Sequence, residues 1–341
     1  MTVYNKMSFK VCIRCATFNQ ALYIEDAMNG FAMQQTTFPY VCCIMDDAST
    51  DGEPEVILNY LQENFDLEDK SVVRNEETDD YVLCFAQHKT NKNCYFAVYF
   101  LKYNHYSIKK TKLPYFSKWQ DSSKYIAICE GDDYWIDSHK LQLQVDFMES
   151  HKGYMMCFHN AIVRYQDQNK PDKIMREFES GDFDTLKLFK KWHLPLASVL
   201  FRKELYEEPI LAELNMVFQG GYCLFITAAK RGKLYGLSRC LSVYRKNDGG
   251  ISNKMHPSTF LRNHLGFAKI IGDTDVIQYE EKKALRTVIE ALPGCLIGRQ
   301  ESKEIIKVVK EYDKRIIYMA LLLAPFKIPC MFFSRLINRK I

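Results

Sequence analysis

Short apolar runs bounded by polar turn residues constrain the fold of this chain most. Phe9–Ala16, Tyr40–Met45 and Lys124–Cys129 have the length and composition of strands that are covered on both faces. Ala21–Gln35 has apolar residues at helical spacing, and a second helix is predicted from about Glu53 to Asn64. Strands that alternate with helices at this spacing predict an α/β domain with a mostly parallel central sheet flanked by helices.

The other segments give weaker secondary-structure signals. We expect a short strand at Lys70–Arg74, and Tyr95–Tyr106 is consistent with a helix that has an aromatic face. Ser138 is a candidate N-cap for an amphipathic helix that ends near Ser150. Farther on, the predicted elements are strands at Met155–Tyr165 and Leu241–Arg245 and a helix near Tyr222–Arg231.

The last part of the chain differs in kind from the rest. We expect residues 1–250 to form the α/β domain and residues 251–341 a helical extension, with an apolar and basic segment near residues 315–341. Its apolar run, Ile316–Phe326, is shorter than the roughly 20 residues that span a bilayer, which favours a membrane-surface segment. The alternative is a terminal helix packed on the domain. Because the first residues lack the pattern of a signal peptide, we expect a cytoplasmic protein, peripheral on the inner face of the membrane.

Composition excludes several classes of protein. Hydrophobic residues make up 47% of the 341 residues and charged residues 26%, as in an ordinary globular protein, and a net charge of +4 does not indicate nucleic-acid binding. Of the 12 cysteines, Cys12 and Cys15 form a C-x-x-C on a predicted strand, where positions three apart face opposite sides. We therefore expect buried thiols rather than a zinc site.

Two acidic pairs follow predicted buried strands. Asp46 and Asp47 come after the second strand, and Asp132 and Asp133 come after Lys124–Cys129. Ligands bind at the carboxyl ends of strands in open α/β sheets, and clustered carboxylates there suit Mg²⁺ or Mn²⁺. The sequence has neither of the Gly-rich phosphate-binding loops typical of kinases, NTPases and dehydrogenases. If a diphosphate binds here, a metal ion has to neutralise it.

Four motifs, taken together, resemble those of family 2 glycosyltransferases of the kind that builds bacterial surface polysaccharides. They are Ala16-Thr-Phe-Asn, Asp46-Asp-Ala-Ser-Thr-Asp-Gly, Glu130-Gly-Asp-Asp-Tyr-Trp followed by Lys140-Leu-Gln, and Gly232-Lys-Leu followed by Leu241-Ser-Val-Tyr-Arg. The resemblance covers roughly residues 9–245. It implies the GT-A fold, a nucleotide-diphosphate sugar donor that we expect to be a UDP-sugar, and inversion at the anomeric carbon. A growing cell-surface glycan or a lipid-linked glycan is the implied acceptor.

The resemblance also implies roles for single residues. Ala16, Thr17 and Asn19 would lie along the nucleotide, and Asp47 would accept a hydrogen bond from the base, which suits the N3–H of uracil. Asp132 would lie near the ribose and the metal-bound waters.

Two further assignments concern the ion and the base. The resemblance makes Asp133 the ligand of Mn²⁺ or Mg²⁺, whose charge would stabilise the departing diphosphate. Arg74 is a candidate contact to the base or a phosphate, with a solvated charge at a strand end as the alternative.

One position departs from the family pattern. Where the family has an Asp that serves as general base, this chain has Gly221, in Phe218-Gln-Gly-Gly-Tyr-Cys-Leu. Three explanations are open: a group such as His159, Glu213 or Asp248 substitutes, the chain is a weakened or inactive homologue, or the alignment slips locally. A non-catalytic sugar-nucleotide-binding or scaffold protein is therefore the second functional hypothesis. A nucleotidyltransferase is a third, but it would need a Gly-rich basic loop that this sequence lacks.

Overall fold

The computed structural model describes residues 7–69, 72–166, 170–190, 194–208, 221–246 and 256–337. The chain divides into two compact units that are built from interleaved segments. The first unit comprises Met1–Asp184, Trp192–Glu208 and Leu224–Asn247, and the second comprises Thr185–Lys191, Pro209–Cys223 and Asp248–Ile341.

The first unit contains the sheet. Its strands are β1 (Phe9–Thr17), β2 (Tyr40–Asp46), β3 (Phe65–Asp66), β4 (Arg74–Glu77), β5 (Tyr81–His88), β6 (Cys94–Leu101), β7 (Ser123–Ile128), β8 (Tyr134–Trp135), β9 (Tyr154–Tyr165), β10 (Lys173–Ile174), β11 (Gly181–Phe183), β12 (Leu200–Arg202) and β13 (Lys233–Lys246). The helices along the chain are α1 (Ile24–Ala32), α2 (Glu53–Asn64), α3 (Leu113–Asp121), α4 (Lys140–Ser150), α5 (Thr185–Lys190), α6 (Gly221–Arg231), α7 (Pro257–Ile271), α8 (Thr274–Leu296), α9 (Gln300–Tyr312) and α10 (Lys314–Ile337). Short 3₁₀ turns lie at Leu196–Ser198 and Lys203–Glu207.

The sheet is mixed, with a parallel centre. Its strand order is β11-β13-β9-β12-β7-β1-β2-β6-β5-β3, and β4, β8 and β10 pair at its margins. The central strands β7, β1, β2 and β6 run parallel, whereas β12 and β5 on either side of them are antiparallel to their neighbours. The predicted α/β class with a parallel central sheet and flanking helices is confirmed, and the antiparallel strands add to it.

Strand register brings the carboxyl ends of the central strands to one edge. Thr17 pairs with Asp46, and Asp46 pairs with Phe100, while Arg14 pairs with Ile128. Every residue of β2 is buried, because helices and loops cover both faces of the sheet centre. The segments that follow β1, β2, β6 and β7 therefore meet along this edge, which we call the carboxyl edge.

The expected helix at Tyr95–Tyr106 is wrong. This stretch contains the strand β6, which pairs with β2 on one side and with β5 on the other. Cys94, Phe96, Ala97 and Val98 are all fully buried, so apolar residues cover both faces of the strand. A continuous aromatic run of this kind satisfies helical and strand patterns equally, and the neighbouring strands decide between them.

Two smaller expectations are corrected. The strand expected at Lys70–Arg74 begins only at Arg74, with Val72 and Val73 before it, while residues 70 and 71 lie outside the described residues. The α4 helix has His139, not Ser138, at its N-cap position, and no side chain caps it. The predicted strand Met155–Tyr165 is observed as β9, Tyr154–Tyr165.

The cysteines of the two central strands β1 and β2 are buried free thiols. Cys12, Cys15, Cys42 and Cys43 lie on β1 and β2 without exposed surface. Burial raises the pKa of the Cys12 thiol to about 12, so this sulfur stays protonated at neutral pH.

The second unit is helical and has its own apolar core. Residues of α7, α8, α9 and α10 form this core: Leu261, Leu265, Ala284, Val288, Ile289, Ala291, Ile305, Val308, Val309, Ile316 and Ala320. Asp273 caps α8 through its carboxylate, which accepts hydrogen bonds from the backbone N–H groups of Asp275 and Val276. Among the described residues, no helix combines the length and the apolar character that crossing a bilayer requires.

Candidate functional site

The end of β1 forms the first part of the carboxyl edge. Thr17 is the last, buried residue of the strand, and Asn19 follows it with an exposed side chain and a left-handed backbone (φ 54°). The Asn19 carboxamide oxygen accepts a hydrogen bond from the backbone N–H of Thr50 at 2.9 Å. Its own N–H donates to the Ser49 hydroxyl at 2.8 Å. The segment after β1 is therefore tied directly to the segment after β2.

A buried carboxylate, Glu53, holds these two segments together. Glu53 has no exposed surface although it is the first residue of α2. One of its oxygens accepts the Thr17 hydroxyl, and the other accepts the Gln20 N–H and the Ser49 hydroxyl, each at 2.8 Å. Since a buried charge is stable only when donors surround it, this arrangement fixes the shape of both segments.

The turn after β2 carries the first acidic pair. Asp47 is 1% exposed, and its carboxylate accepts the backbone N–H groups of His105 at 2.7 Å and Tyr106 at 3.2 Å. It also forms an ion pair with Lys112, with 2.6 Å between Nζ and Oδ2. Asp46 has weaker partners, since the Ser49 N–H lies 3.3 Å from its nearer oxygen. Burial raises the pKa of Asp46 to about 6.

The turn after β7 carries the second acidic pair. Glu130 is exposed, Asp132 is half-buried and Asp133 is buried. Gly131 lies against β1: its N–H donates to the Ala16 carbonyl at 3.2 Å, and a Cβ on Gly131 would come within 2.3 Å of the Thr17 hydroxyl oxygen. Only glycine therefore allows this turn to approach the end of β1 so closely.

Repulsion and burial act together on Asp133. Burial raises its pKa well above the ordinary value for an aspartate, and the neighbouring charge of Asp132 raises it further. One backbone N–H, from Arg245, opposes this by donating to Asp133 Oδ1 at 2.9 Å. The carboxylate of Asp133 is thus short of positive partners, in contrast to that of Glu53.

Arg245 stabilises the acidic turn after β7. Its guanidinium donates to the Asp132 carbonyl at 3.0 Å and pairs with the Asp26 carboxylate. The same group lies over the Tyr134 ring, 4.4 Å from the centroid, and over the Tyr23 ring at 5.0 Å. This packing links β13 and α1 to the acidic turn and fixes the position of the turn.

The acidic turn after β7 fits a hard divalent cation that is shared with a ligand. In the part of the chain that the structure describes, no three His, Cys, Asp or Glu side chains come together as a complete metal site. Mg²⁺ in phosphate-binding sites typically uses only one or two carboxylates and takes its other ligands from phosphates and water. The mutual repulsion of Asp132 and Asp133 is the kind of imbalance that such an ion relieves.

Arg74 does not lie at the carboxyl edge. It pairs with Phe85 on β5, Phe85 pairs with Ala97 on β6, and Ala97 pairs with Cys43 in the middle of β2. Arg74 is therefore level with the centre of β2 and three strands away from it, a separation of roughly 14 Å at the usual strand spacing. The sheet brings together Ala16, Thr17, Asn19, Asp47, Asp132 and Asp133, but not Arg74.

His159 lies inside β9 without exposed surface. Its Nδ1 bonds to the Asn160 carbonyl oxygen at 2.8 Å, and its Nε2 has no hydrogen-bond partner. Burial, reinforced by the nearby Lys140 charge, lowers its pKa well below the usual value. This imidazole is therefore neutral and has no contact with solvent in the described conformation.

Of the other positions considered for the missing general base, the structure describes only Gly221. Gly221 is the first residue of α6, and so occupies a helix start. Glu213 and Asp248 lie outside the described residues.

Three functional candidates were not assigned from sequence. Glu53, Lys112 and Arg245 each contact a residue of the predicted site. Arg245 is the last residue of the motif Leu241-Ser-Val-Tyr-Arg, so the family resemblance could have indicated a role for it. Lys112 and Glu53 had no such signal, because a lysine in a loop and a glutamate at a helix start usually face water.

Solved structures share this fold. S. aureus TarS 1-349 in complex with UDP-GlcNAc superposes with a TM-score of 0.53 at 13% sequence identity, covering 90% of this chain and 82% of that chain. The same protein in complex with UDP gives 0.51 with the same identity and coverage. The likeness establishes that this chain has the GT-A glycosyltransferase fold, with a C-terminal helical region.

Sequence comparison finds relatives without an assigned activity. Uncharacterized proteins of Mycobacterium tuberculosis and Mycobacterium bovis are 28% identical to this chain over 235 residues, which is 69% of the chain. The match spans 58% of the length of these relatives. No protein-family model matches the chain, so membership of family 2 stays a prediction.

Proposed function

We propose that this protein transfers a monosaccharide from a nucleotide-diphosphate sugar, a UDP-sugar in the first instance, to a growing cell-surface glycan. The observation that carries the proposal is the meeting of the Thr17–Asn19 segment with the two acidic turns at the carboxyl edge of a GT-A sheet. TarS, which has the same fold, binds UDP and UDP-GlcNAc. Family 2 membership and inversion at the anomeric carbon are parts of this proposal.

The donor would lie across the carboxyl edge. Ala16, Thr17 and Asn19 would line the nucleotide, with the rigid hydrogen bonds to Ser49 and Glu53 holding that wall in place. Asp132, whose side chain is half-buried, would face the ribose. Preformed walls reduce the entropy that binding costs.

A divalent ion, Mn²⁺ or Mg²⁺, would be held by Asp133 and by the diphosphate. Bound there, the ion would supply the positive charge that stabilises the leaving diphosphate. The protein's own part is to keep Asp133 and Asp132 fixed, which Arg245 does through its backbone N–H and its guanidinium.

Deprotonation of the acceptor hydroxyl is the step for which the chain lacks the family's residue. A base takes that proton as the hydroxyl oxygen attacks the anomeric carbon and the bond to the diphosphate breaks. Gly221 has no side chain for this, and the burial of His159 disfavours it as a substitute. The second candidate function is therefore a catalytically impaired sugar-nucleotide-binding homologue.

One experiment separates the two candidate functions. Purified protein is incubated with UDP-sugars, Mn²⁺ and glycan acceptors, and UDP release is followed for wild type and Gly221→Asp. Acceptor-dependent release by wild type establishes transfer and removes the impaired homologue. Release by Gly221→Asp alone, with donor binding by both proteins, establishes the loss of the base. A wild type that binds no nucleoside diphosphate contradicts both functions.

The apolar surface of α10 supports contact with a membrane. Ile316, Ala320 and Ala324 are buried on one side of this helix, in the core of the helical unit or beside it. Tyr318, Leu322 and Phe326 are 65, 73 and 75% exposed. Lys314 and Arg315 begin the helix. We propose that this face lies on an anionic lipid surface, which would bring the enzyme to a lipid-linked acceptor.

Vesicle sedimentation tests the membrane proposal. Wild type is expected to pellet with vesicles that contain anionic phospholipid, and a Leu322→Ser, Phe326→Ser double variant is expected to stay in the supernatant. Leu296→Ser is the matched control, since Leu296 is 88% exposed at the end of α8 and lies outside the proposed face. Equal sedimentation of wild type and the double variant would contradict the proposal.

A further inference from the structure

We propose that Asp47 does not contact the nucleotide base but instead positions the segment Asn104–Lys112, which supplies Lys112 as a cation for the donor's diphosphate. The inference rests on the proposed function and deepens it, because it names the residues that recognise the donor. It differs from the role that the family resemblance implies for Asp47.

The carboxylate of Asp47 is already occupied. It accepts the His105 N–H, the Tyr106 N–H and the Lys112 ammonium, and the residue is 1% exposed. A carboxylate offers about four acceptor positions, so these three donors use most of them. The nucleotide base could contact the Asp47 carboxylate only if the segment Asn104–Lys112 moved away from it.

The segment that covers Asp47 is firmly held. The Asn104 carboxamide donates to the Asp47 carbonyl oxygen at 3.0 Å. His105 has no exposed surface, and its ring nitrogens bond to the Tyr103 carbonyl at 2.9 Å and the Tyr115 hydroxyl at 3.0 Å. Moving the segment would break all these bonds and expose a buried charge, which is costly.

A second ion pair holds the middle of the segment. Lys110 pairs with Asp80 at 2.7 Å, and the Tyr103 hydroxyl bonds to the same carboxylate. Asp80 therefore anchors the solvent side of the segment, while Asp47 anchors its inner side. Lys109 provides a matched control for Lys112, because it is an exposed lysine of the same segment and takes no part in either ion pair.

Lys112 has capacity left for a ligand. Its ammonium group has three N–H donors, of which Asp47 accepts one, and its side chain is 25% exposed. Its partner Asp47 donates its N–H to the Thr17 carbonyl at 3.1 Å, and Gly131 of the acidic turn after β7 donates to the neighbouring Ala16 carbonyl at 3.2 Å, so both lie against the end of β1. Arg14 and Arg245 are engaged with Tyr206 and Asp26 respectively. Lys112 thus presents N–H donors between the two turns, where the diphosphate is expected.

Binding of UDP, N3-methyl-UDP and uridine by calorimetry tests the inference. Wild type is expected to bind UDP and N3-methyl-UDP within about threefold, because no carboxylate reads N3–H. Lys112→Gln is expected to weaken UDP binding by about tenfold, the size of one hydrogen bond to a charged group, and to leave uridine binding within about threefold. Lys109→Gln should leave the binding of UDP and of uridine unchanged.

The coupling of Asp47 to Lys112 gives a second readout. Asp47→Asn is expected to weaken UDP and N3-methyl-UDP equally, and the Asp47→Asn, Lys112→Gln double variant should bind UDP no more weakly than Lys112→Gln alone. A tenfold penalty for N3-methylation in wild type that disappears in Asp47→Asn would overturn the inference and leave the proposed function intact. Failure of wild type to bind UDP at all would instead contradict the proposed function.

Discussion

The two acidic turns at the carboxyl edge look alike in sequence and differ in their partners. In the turn after β2, Asp47 and the following Glu53 each accept three hydrogen bonds from protein donors. In the turn after β7, Asp133 accepts the backbone N–H of Arg245 and is repelled by the negative charge of Asp132. Protein donors thus satisfy the carboxylates of Asp47 and Glu53, whereas the carboxylate of Asp133 lies beside the negative charge of Asp132.

This difference distinguishes structural carboxylates from ligand-binding ones. A carboxylate whose acceptor positions are filled by the protein stabilises the fold, and removing it leaves buried donors unsatisfied. A carboxylate that is crowded by other negative charge costs stability and has capacity for a cation. Asp46 is intermediate, since it belongs to the first turn but has only long contacts with Ser49.

The same isosteric change in both turns should give the largest contrast. Asp133→Asn is expected to lower sugar transfer about 1000-fold, since roughly 4 kcal/mol of charge stabilisation at the leaving diphosphate disappears with the ion. Asp47→Asn should lower activity only about tenfold, in line with weaker donor binding. Steady-state rates with saturating Mn²⁺ measure both, and a larger loss in Asp47→Asn would reverse the assignment of the two turns.

Truncation of the buried glutamate should give the largest effect on stability. Glu53→Ala leaves the Thr17 and Ser49 hydroxyls and the Gln20 N–H without their acceptor, so we expect a loss of about 3 kcal/mol in the free energy of unfolding. Glu55→Ala, an exposed position on the same helix, should stay within about 0.5 kcal/mol of wild type. Urea unfolding measures both, and equal values would mean that Glu53 does not hold the two segments.

The pH dependence of stability should reveal the uncompensated carboxylates. In the folded protein the pKa of Asp133 is raised and that of Asp46 is raised from 3.8 to about 6, so the folded state binds protons more tightly than the unfolded state. Their contribution is fully present below about pH 4 and is lost as the pH rises through these folded-state values. We expect the metal-free protein to lose about 1 kcal/mol or more between about pH 4.5 and 7.

The variant Asp133→Asn sharpens the pH experiment. It removes one of the titrating groups and retains an oxygen for the Arg245 N–H, so its free energy of unfolding should fall less over the same pH interval. Urea titrations at both pH values provide the measurement. A variant with the full wild-type pH dependence would show that Asp133 is not strained by its neighbours.

The smallest predicted effect concerns the Ser49 hydroxyl, which joins the segment after β1 to the turn after β2. Ser49 accepts the Asn19 N–H and donates to Glu53, so Ser49→Ala should cost about 1 kcal/mol of stability. Thr50→Ala is the adjacent exposed control and should be close to neutral. Thermal unfolding resolves the difference. An equal shift in both variants would leave the Ser49 hydroxyl without a special role.

Much of the fold could be predicted from the sequence, because its central strands are buried on both faces. The runs in β1, β2 and β7 contain few polar residues, so their assignment needed no knowledge of neighbours. The helix α2 was predicted with its observed bounds. The strand β6 was missed because its aromatic run fits two periodicities, and only its pairing with β2 and β5 decides between them.

The partners of the site residues could not be predicted from sequence. The donors to Asp47 come from a segment 58 to 65 residues farther along the chain. No sequence pattern in either segment indicates that the two are in contact. Conversely, Arg74 has the chemistry of a phosphate ligand, but the register of β4 and β5 places it level with the middle of the sheet. Residue type predicts what a side chain can do, and strand register determines where it can do it.

The effect of Mn²⁺ on UDP binding tests the central claim most directly, namely that the turn after β7 binds a cation together with a diphosphate. Calorimetric titration of UDP is carried out with and without Mn²⁺ on wild type and on Asp133→Asn. The account predicts that Mn²⁺ tightens UDP binding by at least about tenfold in wild type and leaves it unchanged in the variant. An equal response of both proteins to Mn²⁺, or no response in wild type, would contradict it.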